Sequence, residues 1–422
     1  MPPSEHCTLT AVLVSRFPKV SETFVAREAI ALQSQGCKVR VYALTRENSA
    51  VVQPEAAVLL PDAVFGRVDV GLLGAQLRWL RKDPARYLRT WTGALRGNLR
   101  SRRFLLRAFV VVPVAARWAL EMPEQGVSRV HAHFATHAAL AGWVINRLTD
   151  LPFSFTVHAH DLYVDREMLV EKVAAADLVV TISDFNQRLL EDVCGKAMTD
   201  HRVRVVRCGV DRTIFRRRPV APANPVTKIV CVGTLEQKKG QRHLIEAVAR
   251  LRDRGRTVEA VFVGEGDDRA SLESDVARLA VADSVRLPGA GDRAAVLAAL
   301  ESADVVVLPS VIDDRGRMEG IPVSLMEAMA VGVPVIASDL SGISELVVDG
   351  VTGLLVVPGD AAALADAIER LIGDPDLARR VTVAATRVVA EKYDLTSNVA
   401  ELAELFGPPT IPVGAPRKTI PQ

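Results

Sequence analysis

Two glutamates in the second half of the chain have a spacing that suits ligand chemistry. Glu319 and Glu327 bracket seven residues, Gly-Ile-Pro-Val-Ser-Leu-Met. Pro322 suits the first position of a helix, where its missing N–H costs nothing, so the N–H groups of Val323 and Ser324 would be free to bind a phosphate. Glu327 shares a helical stripe with Val323, and helical side chains lean towards the N-terminus. Because a carboxylate repels phosphate, the partner predicted for Glu327 is a neutral hydroxyl pair such as a ribose diol.

Glu319 precedes this helix in a loop where Gly320 allows a ligand to approach the backbone closely. The segment from Gly320 and Ile321 to Ser324 is therefore a candidate binding loop. A second interpretation remains open at this point, in which an amphipathic core helix carries a surface glutamate at each end.

A pair of lysines follows the strand predicted at 228–232. Lys238 and Lys239 end the loop Gly-Thr-Leu-Glu-Gln-Lys-Lys-Gly, directly before a predicted helix. Cations at the carboxyl end of a parallel strand suit a diphosphate, although an exposed turn with two ordinary lysines would look the same. A Gly-Glu-Gly turn beginning at Gly264 follows the next strand and is weak as a signal by itself.

Five of the eight histidines lie in two clusters at predicted strand ends. His158 and His160 would share one face if their strand continued. The other cluster, His131, His133 and His137, is more simply explained as core histidines bonded to the backbone. No HExxH motif occurs and no cysteine lies nearby, so we expect no metal site. The histidines instead predict a polar cleft floor.

Composition narrows the class of protein. The 422 residues carry 52 basic and 50 acidic side chains, so no overall field for nucleic acid is implied. Five scattered cysteines without a CxxC pair indicate reduced thiols in a cytoplasmic protein. No secretory signal is predicted, and the longest apolar run is too short to span a bilayer. The GxSxG, GxxxxGK[ST] and zinc motifs are missing from the sequence, which argues against α/β-hydrolases, P-loop NTPases and metallohydrolases.

Short β-branched runs alternate with helical periodicity in both halves, which predicts parallel sheets built from βαβ units. We therefore expect an α/β protein of two facing, doubly wound, Rossmann-like domains with ligands in the cleft between them. The predicted boundaries are residues 1–215 and 226–390, joined by a Pro-rich linker. A helix at 391–407 would pack back on the first domain, and the tail 408–422 is predicted to be disordered.

An insertion at 66–120 interrupts the first domain. Leucines, Trp79, Tyr87 and Trp91 are threaded through its basic residues, a pattern typical of amphipathic helices on an anionic membrane surface. An ordinary helical face with its apolar side in the core is the alternative. Eleven basic side chains lie between residues 67 and 107, against two aspartates: Arg67, Arg78, Arg81, Lys82, Arg86, Arg89, Arg96, Arg100, Arg102, Arg103 and Arg107.

Taken together, these segments resemble the retaining glycosyltransferases of family 4, which have the GT-B fold, and especially bacterial exopolysaccharide enzymes of the colanic acid type. The resemblance covers almost the whole chain. The motifs that carry it are Ser-Arg-Phe-Pro-Lys-Val-Ser-Glu-Thr-Phe at 15–24, Val-His-Ala-His-Asp at 157–161, Cys-Gly-Val-Asp at 208–211, Lys-Lys-Gly at 238–240, the Glu319–Glu327 segment, Gly-Val-Pro-Val-Ile-Ala at 332–337 and Val-Asp-Gly-Val-Thr-Gly-Leu-Leu at 348–355.

The resemblance implies a transfer of sugar from a nucleoside diphosphate donor to a saccharide, expected to be lipid-linked, without a cofactor or metal. It implies that Glu327 binds the donor ribose, Glu319 and the following backbone hold the sugar, Lys239 clamps the diphosphate, and His158 lies near the sugar and acceptor. The predicted catalytic residues are His158, Glu319 and Lys239. The predicted donor-binding set is Thr234, Lys238, Lys239, Gly264, Gly320, Ile321, Pro322, Val323, Ser324 and Glu327.

Two departures from the family pattern bear on this assignment. Thr234 stands where an arginine is usual, so Lys238, Arg315 or Arg317 would have to supply the charge. Phe17 and Pro18 replace the paired glycines after the first strand, where a helix cap is predicted at Ser21. A non-catalytic sugar-nucleotide scaffold and a nucleotide-sugar epimerase of the same fold remain alternatives.

Overall fold

The computed structural model describes residues 9–19, 22–48, 52–218 and 226–407. The predicted cap at Ser21, most of the linker and the tail lie outside these residues. The described chain forms two parallel sheets with helices on both faces, which confirms the predicted class of two Rossmann-like domains.

The first sheet has seven strands in the order β3-β2-β1-β4-β5-β6-β7. All its strand pairs are parallel. The strands are β1 (Leu9–Phe17), β2 (Lys38–Arg46), β3 (Val64–Phe65), β4 (Val127–His133), β5 (Phe153–Val157), β6 (Leu178–Thr181) and β7 (Val203–Val205). The helices of this half are α1 (Thr23–Ser34), α2 (Pro54–Leu59), α3 (Val70–Lys82), α4 (Pro84–Asn98), α5 (Arg102–Glu124), α6 (His137–Thr149), α7 (His160–Tyr163), α8 (Leu169–Ala175), α9 (Asp184–Cys194) and α10 (Lys196–Thr199).

The second sheet has six strands in the order β10-β9-β8-β11-β12-β13, again with parallel pairs. Its strands are β8 (Thr227–Val232), β9 (Val258–Val263), β10 (Val285–Gly289), β11 (Val305–Leu308), β12 (Val335–Ser338) and β13 (Leu354–Val356). Its helices are α11 (Gln241–Asp253), α12 (Arg269–Arg278), α13 (Arg293–Ser302), α14 (Val323–Val331), α15 (Ile343–Leu346), α16 (Ala361–Gly373), α17 (Pro375–Lys392) and α18 (Leu395–Phe406).

Central strands are buried on both faces, as parallel strands covered by helices must be. Every residue of β5, β11 and β12 is buried. Because the polar residues that follow such strands cannot stay in the apolar core, they collect at the carboxyl edge of each sheet. This edge is where the site is built.

The last helix, α18, packs on the first sheet although it follows the second in sequence. Its residues Val399, Leu402 and Phe406 share a buried cluster with Val12 and Val14 of β1. A second link joins the halves at Glu345 of α15. Its carboxylate accepts hydrogen bonds from the backbone N–H groups of Asp184 and Phe185, at 3.0 and 2.6 Å, where α9 begins. Carboxylates are favoured at helix N-termini, so this contact stabilises the arrangement of the two sheets.

The insertion forms three helices, α3 to α5, rather than one. Trp79 is 2% exposed and donates its indole N–H to the Ala116 oxygen at 2.7 Å, and Tyr87 is 5% exposed. These two aromatic residues therefore belong to the core and not to a membrane-facing surface. Leu73, Leu77, Leu80 and Leu88 remain exposed. No helix among the described residues combines the length and apolarity needed to cross a bilayer.

We predict that Trp79→Ala destabilises the protein by about 3–5 kcal/mol, because it removes a buried ring and leaves a cavity. The matched change Leu77→Ala, on the same helix but 52% exposed, should alter stability by less than about 0.5 kcal/mol. Urea unfolding measures both free energies. Equal effects would contradict the division of this helix into a core face and a surface face.

Candidate functional site

Glu319 lies between the two lysines of the loop after β8. Its Oε2 is 2.9 Å from Lys239 Nζ and its Oε1 is 2.9 Å from Lys238 Nζ. The three side chains are largely shielded, with Glu319 9% exposed and Lys239 12%. The structure thus brings together a lysine pair and a glutamate that lie 80 residues apart in sequence.

The lysines keep this glutamate ionised. Burial by itself would raise the pKa of Glu319, but the charges and hydrogen bonds of Lys239 and Lys238 lower that pKa to about 2. Burial also disfavours the charged form of Lys238, yet the neighbouring Glu319 carboxylate raises the pKa of Lys238 above its usual value. The cluster therefore holds one negative and two positive charges at neutral pH.

Helix α14 begins four residues after Glu319, and no side chain caps its first turn. Pro322 is the cap residue, with φ −71° and ψ 125°, and Val323 is the first helical residue. The prediction that Pro322 is itself helical was wrong by one position, because proline fixes φ but leaves ψ free to be extended. Val323 and Ser324 are partly exposed, and their N–H groups can donate hydrogen bonds to an anion.

Glu327 points across the cleft to the first half of the chain. Its Oε1 accepts a hydrogen bond from Arg27 Nη1 on α1 at 2.7 Å, and both side chains are 7% exposed. Burial raises the pKa of Glu327, and the Arg27 charge opposes this rise. Glu55 of α2 lies 3.5 Å from Arg27 Nε and 2.7 Å from Arg293 Nη1, which extends the charge network across the cleft.

Two glycines of the predicted donor-binding set, Gly264 and Gly320, lie where segments of backbone pass close to each other. A Cβ on Gly264 would lie 1.9 Å from the Gly233 oxygen, so the turns after β8 and β9 meet only because Gly264 has no side chain. A Cβ on Gly320 would lie 3.1 Å from the His158 oxygen, which places the Glu319 loop directly against the His158 loop. Ser341 fixes the same loop through a 2.5 Å hydrogen bond to the Glu319 backbone oxygen.

The structure shows the positions of the three cations that were considered as replacements for the missing arginine at Thr234. Arg317 forms an ion pair with Asp313 at 2.6 Å, and the Arg315 backbone N–H donates to the same carboxylate. The Thr234 backbone oxygen accepts a hydrogen bond from Gln241. Of the three cations that could substitute for the missing arginine, Lys238 is the one that contacts Glu319.

His158 is the last member of a buried chain of polar groups. His133 Nδ1 lies 3.2 Å from His158 Nε2, and His133 Nε2 lies 3.2 Å from Glu28 Oε1. His133 thereby connects the His158 ring with the Glu28 carboxylate through its two ring nitrogens. Burial holds the pKa of His158 well below its usual value, so the ring is neutral.

Asp161 fixes the loops that carry this chain. Its carboxylate accepts hydrogen bonds from the backbone N–H groups of Ala135, His158 and Ala159, at 2.8 to 3.2 Å. The strand β5 ends at Val157, so His160 begins α7 and does not share a strand face with His158 as predicted.

Among the described residues, Glu28, His131 and His133 each place one potential metal-ligand atom within 4.8 Å of the others. Each ring nitrogen of His131 already lies within 2.9 Å of a hydroxyl, on Ser154 or Thr156. Both ring nitrogens of His133 also have partners, so a cation would have to displace these contacts.

Sequence reasoning missed the charged contacts made by Arg27, Glu28, Glu55 and Arg293. Arg27, Glu28 and Glu55 lie on helices, away from the strand ends where ligand-binding residues are expected from sequence. Arg293 directly follows the Gly-Ala-Gly-Asp segment that begins at the end of β10, and this position was an available signal. Arg27 forms an ion pair with Glu327, which lies 300 residues away in sequence. Glu55 forms an ion pair with Arg293, which lies 238 residues away. Arg27 and Glu28 follow closely after the family motif at 15–24, and this proximity was the available signal.

Comparison with known proteins places these features in a family. The family described as Glycosyl transferases group 1 matches residues 213–388, and Glycosyltransferase Family 4 matches residues 21–213. The putative colanic acid biosynthesis glycosyltransferase WcaL of Escherichia coli K12 is 32% identical over 83% of this chain and 87% of its own. The amylovoran biosynthesis glycosyltransferase AmsK of Erwinia amylovora is 33% identical over 65% of this chain and 69% of its own.

Solved structures show the same fold. HepE of Anabaena in complex with UDP and glucose superposes with a TM-score of 0.70, at 18% identity, over 94% of this chain and 99% of its own. Sucrose-phosphate synthase of Thermosynechococcus elongatus gives a TM-score of 0.69 at 21% identity, over 94% and 98% of the two chains.

The Glu319 cluster predicts a pH-dependent stability. The folded pKa of Glu319 lies below its usual 4.5, so its stabilising effect is complete above pH 4.5 and is lost as the pH falls towards 2. Glu319→Gln leaves the two lysines without their counter-charge and should cost about 3 kcal/mol at pH 7.

Urea unfolding of both proteins between pH 7 and pH 3 measures this effect. The difference in free energy of unfolding should narrow below pH 4.5. A difference that stays constant over this range would show that the ion pairs do not depress the pKa of Glu319.

Proposed function

Because this chain belongs to the family 4 glycosyltransferases, we propose that it transfers a sugar from a nucleoside diphosphate sugar to a saccharide acceptor, with retention of the anomeric configuration. The observation that carries the proposal is the alignment of Lys238, Lys239 and Glu319 before the uncapped start of α14. Two cations and a helix N-terminus form a diphosphate site.

The reaction breaks the bond between the anomeric carbon and the diphosphate. Negative charge grows on the departing diphosphate while the sugar becomes oxocarbenium-like. Lys239 and the N–H groups of Val323 and Ser324 stabilise that charge. Retention requires the acceptor hydroxyl to attack from the face that the diphosphate leaves, and its proton passes to a diphosphate oxygen. We assign to Glu319, released in part from its lysines, the role of holding the sugar hydroxyls.

We assign to Glu327 the binding of the donor ribose. Arg27 donates to its Oε1, so Oε2 is available to the diol. The Arg27 charge opposes the rise in the pKa of Glu327 that burial causes, and an ionised carboxylate is the stronger acceptor for two hydroxyl protons. His158, neutral and in contact with His133 through Nε2, would contact the sugar through Nδ1.

UDP-sugars are the first donors to test, because HepE, which shares this fold, forms complexes with UDP and glucose. We propose that no metal is required, since Lys238 and Lys239 supply the positive charge that a divalent cation would provide. The names of WcaL and AmsK point to extracellular polysaccharide assembly. A lipid-linked saccharide is the acceptor we propose for such a pathway.

We also propose that the protein acts in the cytoplasm at the inner face of the plasma membrane. The supporting feature is the outer surface of α3 to α5, where Leu73, Leu77, Leu80 and Leu88 are 42–67% exposed among basic residues. Apolar side chains that enter the headgroup region, flanked by cations, suit an anionic bilayer.

Calorimetric titration with UDP-sugars tests the donor site. Glu327→Ala and Lys239→Ala should each weaken donor binding about tenfold or more, as expected for lost charged hydrogen bonds, whereas Glu319→Ala should chiefly lower turnover. The matched control Arg254→Ala removes an exposed cation of the second half. Wild-type affinity in all three site variants would contradict the assignment.

Turnover separates this proposal from its rivals. A scaffold would bind the donor without consuming it, and an epimerase would convert the donor without an acceptor. The proposed enzyme releases nucleoside diphosphate in step with acceptor glycosylation, and analysis of the product's anomeric configuration tests retention.

Sedimentation with vesicles tests the membrane surface. The protein should bind vesicles containing phosphatidylglycerol at low salt and dissociate at high salt. Leu73→Gln with Leu77→Gln should weaken binding, whereas Val383→Gln, 48% exposed in the second half, should not. If vesicle binding depends neither on lipid charge nor on the leucine substitutions, α3 to α5 have a structural role only.

A further inference from the structure

Four charged side chains of alternating sign form one chain of contacts between the two halves. Arg27 Nη1 donates to Glu327 Oε1 at 2.7 Å, and Arg27 Nε lies 3.5 Å from Glu55 Oε1. Arg293 Nη1 donates to the same Glu55 oxygen at 2.7 Å. The side chains of Arg27 and Glu327 are 7% exposed, that of Glu55 is 12% exposed and that of Arg293 is 29% exposed. The chain therefore connects the buried Glu327 carboxylate with an arginine that reaches solvent.

Within this chain, Arg27 lies between two carboxylates. Burial raises the pKa of Glu327, the Arg27 charge lowers it, and the Glu55 charge raises it again, because two like charges near each other repel. The Arg27 guanidinium also lies 5.7 Å from the centroid of the Phe215 ring, which is buried in the core of the second half. Phe215 thus supports the guanidinium in a position from which either carboxylate can be reached.

The hydrogen bonds of Arg27 are incomplete on the side of Glu55. Arg27 Nε and Glu55 Oε2 are both buried, and neither has a hydrogen-bond partner in the part of the chain that the structure describes. Buried donors and acceptors without partners cost free energy. A turn of Arg27 towards Glu55 would give both atoms a partner, since a guanidinium and a carboxylate can form two parallel hydrogen bonds. That turn would remove the bond to Glu327, so the two carboxylates compete for one arginine.

Arg293 weakens this competition, because it places a positive charge on the Glu55 oxygen that lies nearest to Arg27. It is the first residue of α13, whose preceding residue, Asp292, accepts a hydrogen bond from the Ala295 N–H at 2.8 Å. A cation in the first turn of a helix is unfavourable for the helix itself. The stabilising contact of the Arg293 side chain is therefore the one with Glu55.

We propose that Arg293 is a positioning residue for donor binding, which neutralises Glu55 and thereby leaves Arg27 to Glu327. The inference rests on the proposed role of Glu327 in binding the donor ribose. Arg293 acts through two intervening side chains and does not touch the donor. Because Arg27 and Glu55 belong to the first half of the chain, a contact between the halves sets the affinity for a ligand held by the second half.

Calorimetric titration with a nucleoside diphosphate tests this inference. Among UDP, GDP and ADP, the one that the wild type binds most tightly serves as the probe. Arg293→Gln should weaken probe binding about three- to tenfold, as expected for coupling between charged neighbours, because Glu55 then draws Arg27 away from Glu327. The control Arg286→Gln removes another arginine of the second half, paired with Glu259 at 2.7 Å and 71% exposed, and should bind the probe as the wild type does. Circular dichroism and thermal unfolding show that the variants fold.

A second substitution separates competition from other effects of Arg293. Glu55→Gln removes the competing charge, so the double variant Arg293→Gln with Glu55→Gln should regain most of the affinity lost in Arg293→Gln. In an Arg27→Gln background, Arg293→Gln should cause no further loss, because the intermediate member of the chain is gone. If Arg293 served only to join the halves, or touched the donor directly, Glu55→Gln would restore nothing.

The 2′-deoxy form of the same nucleotide shows which part of the ligand is affected. The chain acts on Glu327 and therefore on the ribose diol, so Arg293→Gln should weaken the binding of the deoxy form by a smaller factor than that of the probe. An arginine that touched the base or the phosphates would weaken both by the same factor.

The inference is overturned if Arg293→Gln binds the probe like the wild type, if Glu55→Gln restores nothing, or if the deoxy form loses as much affinity as the probe. Each of these results leaves the proposed function intact as long as Glu327→Ala weakens probe binding. Wild-type affinity in Glu327→Ala, or a wild type that binds none of the three nucleotides, would instead overturn the proposed donor site and the inference with it.

Discussion

The site depends on two carboxylates that lie where water is largely excluded. Removing a carboxylate from water is costly unless cations and hydrogen bonds replace the solvent. Glu319 meets this requirement through Lys238 and Lys239 of its own half, and Glu327 meets it through Arg27 of the other half. The first arrangement exists within one sheet and its loops, whereas the second exists only when the two sheets face each other.

The two halves of the chain therefore contribute different parts of the cleft. The lysines and the start of α14 are set by β8, β11 and their loops, so the proposed diphosphate site is formed within the second half. The proposed ribose and sugar positions also require α1 and the His158 loop. Glu345 at the start of α9, and α18 on the first sheet, hold the halves in register. Hydrogen bonds of Asp161 then fix the His158 backbone against Gly320.

Much of this architecture could be predicted from local sequence. Alternation of strands and helices indicated two parallel sheets, and residues following strands indicated Lys238, Lys239, Glu319 and His158, because strand ends meet at one edge. The roles of these side chains stay predictions, since geometry alone does not show a bound donor. Local patterns could not reveal Arg27, whose partner lies 300 residues away.

Local sequence also could not predict which side chains of the insertion at 66–120 are buried. Its basic and aromatic pattern is typical of both a membrane surface and a packed helical layer, and only three-dimensional packing places Trp79 and Tyr87 inside while leaving leucines outside. Pro322 precedes α14 as its cap residue, one position before the predicted helical position. The proline ring constrains φ, but ψ is extended, so the helix begins at Val323.

We propose that Lys239, with the start of α14, recognises the second phosphate of the donor nucleotide. The most direct measurement compares the affinities of UDP and UMP for the wild type and for Lys239→Ala. We expect the wild type to prefer UDP strongly over UMP, and this preference should fall about tenfold in Lys239→Ala, in line with one charged hydrogen bond. An unchanged ratio of the two affinities would contradict it.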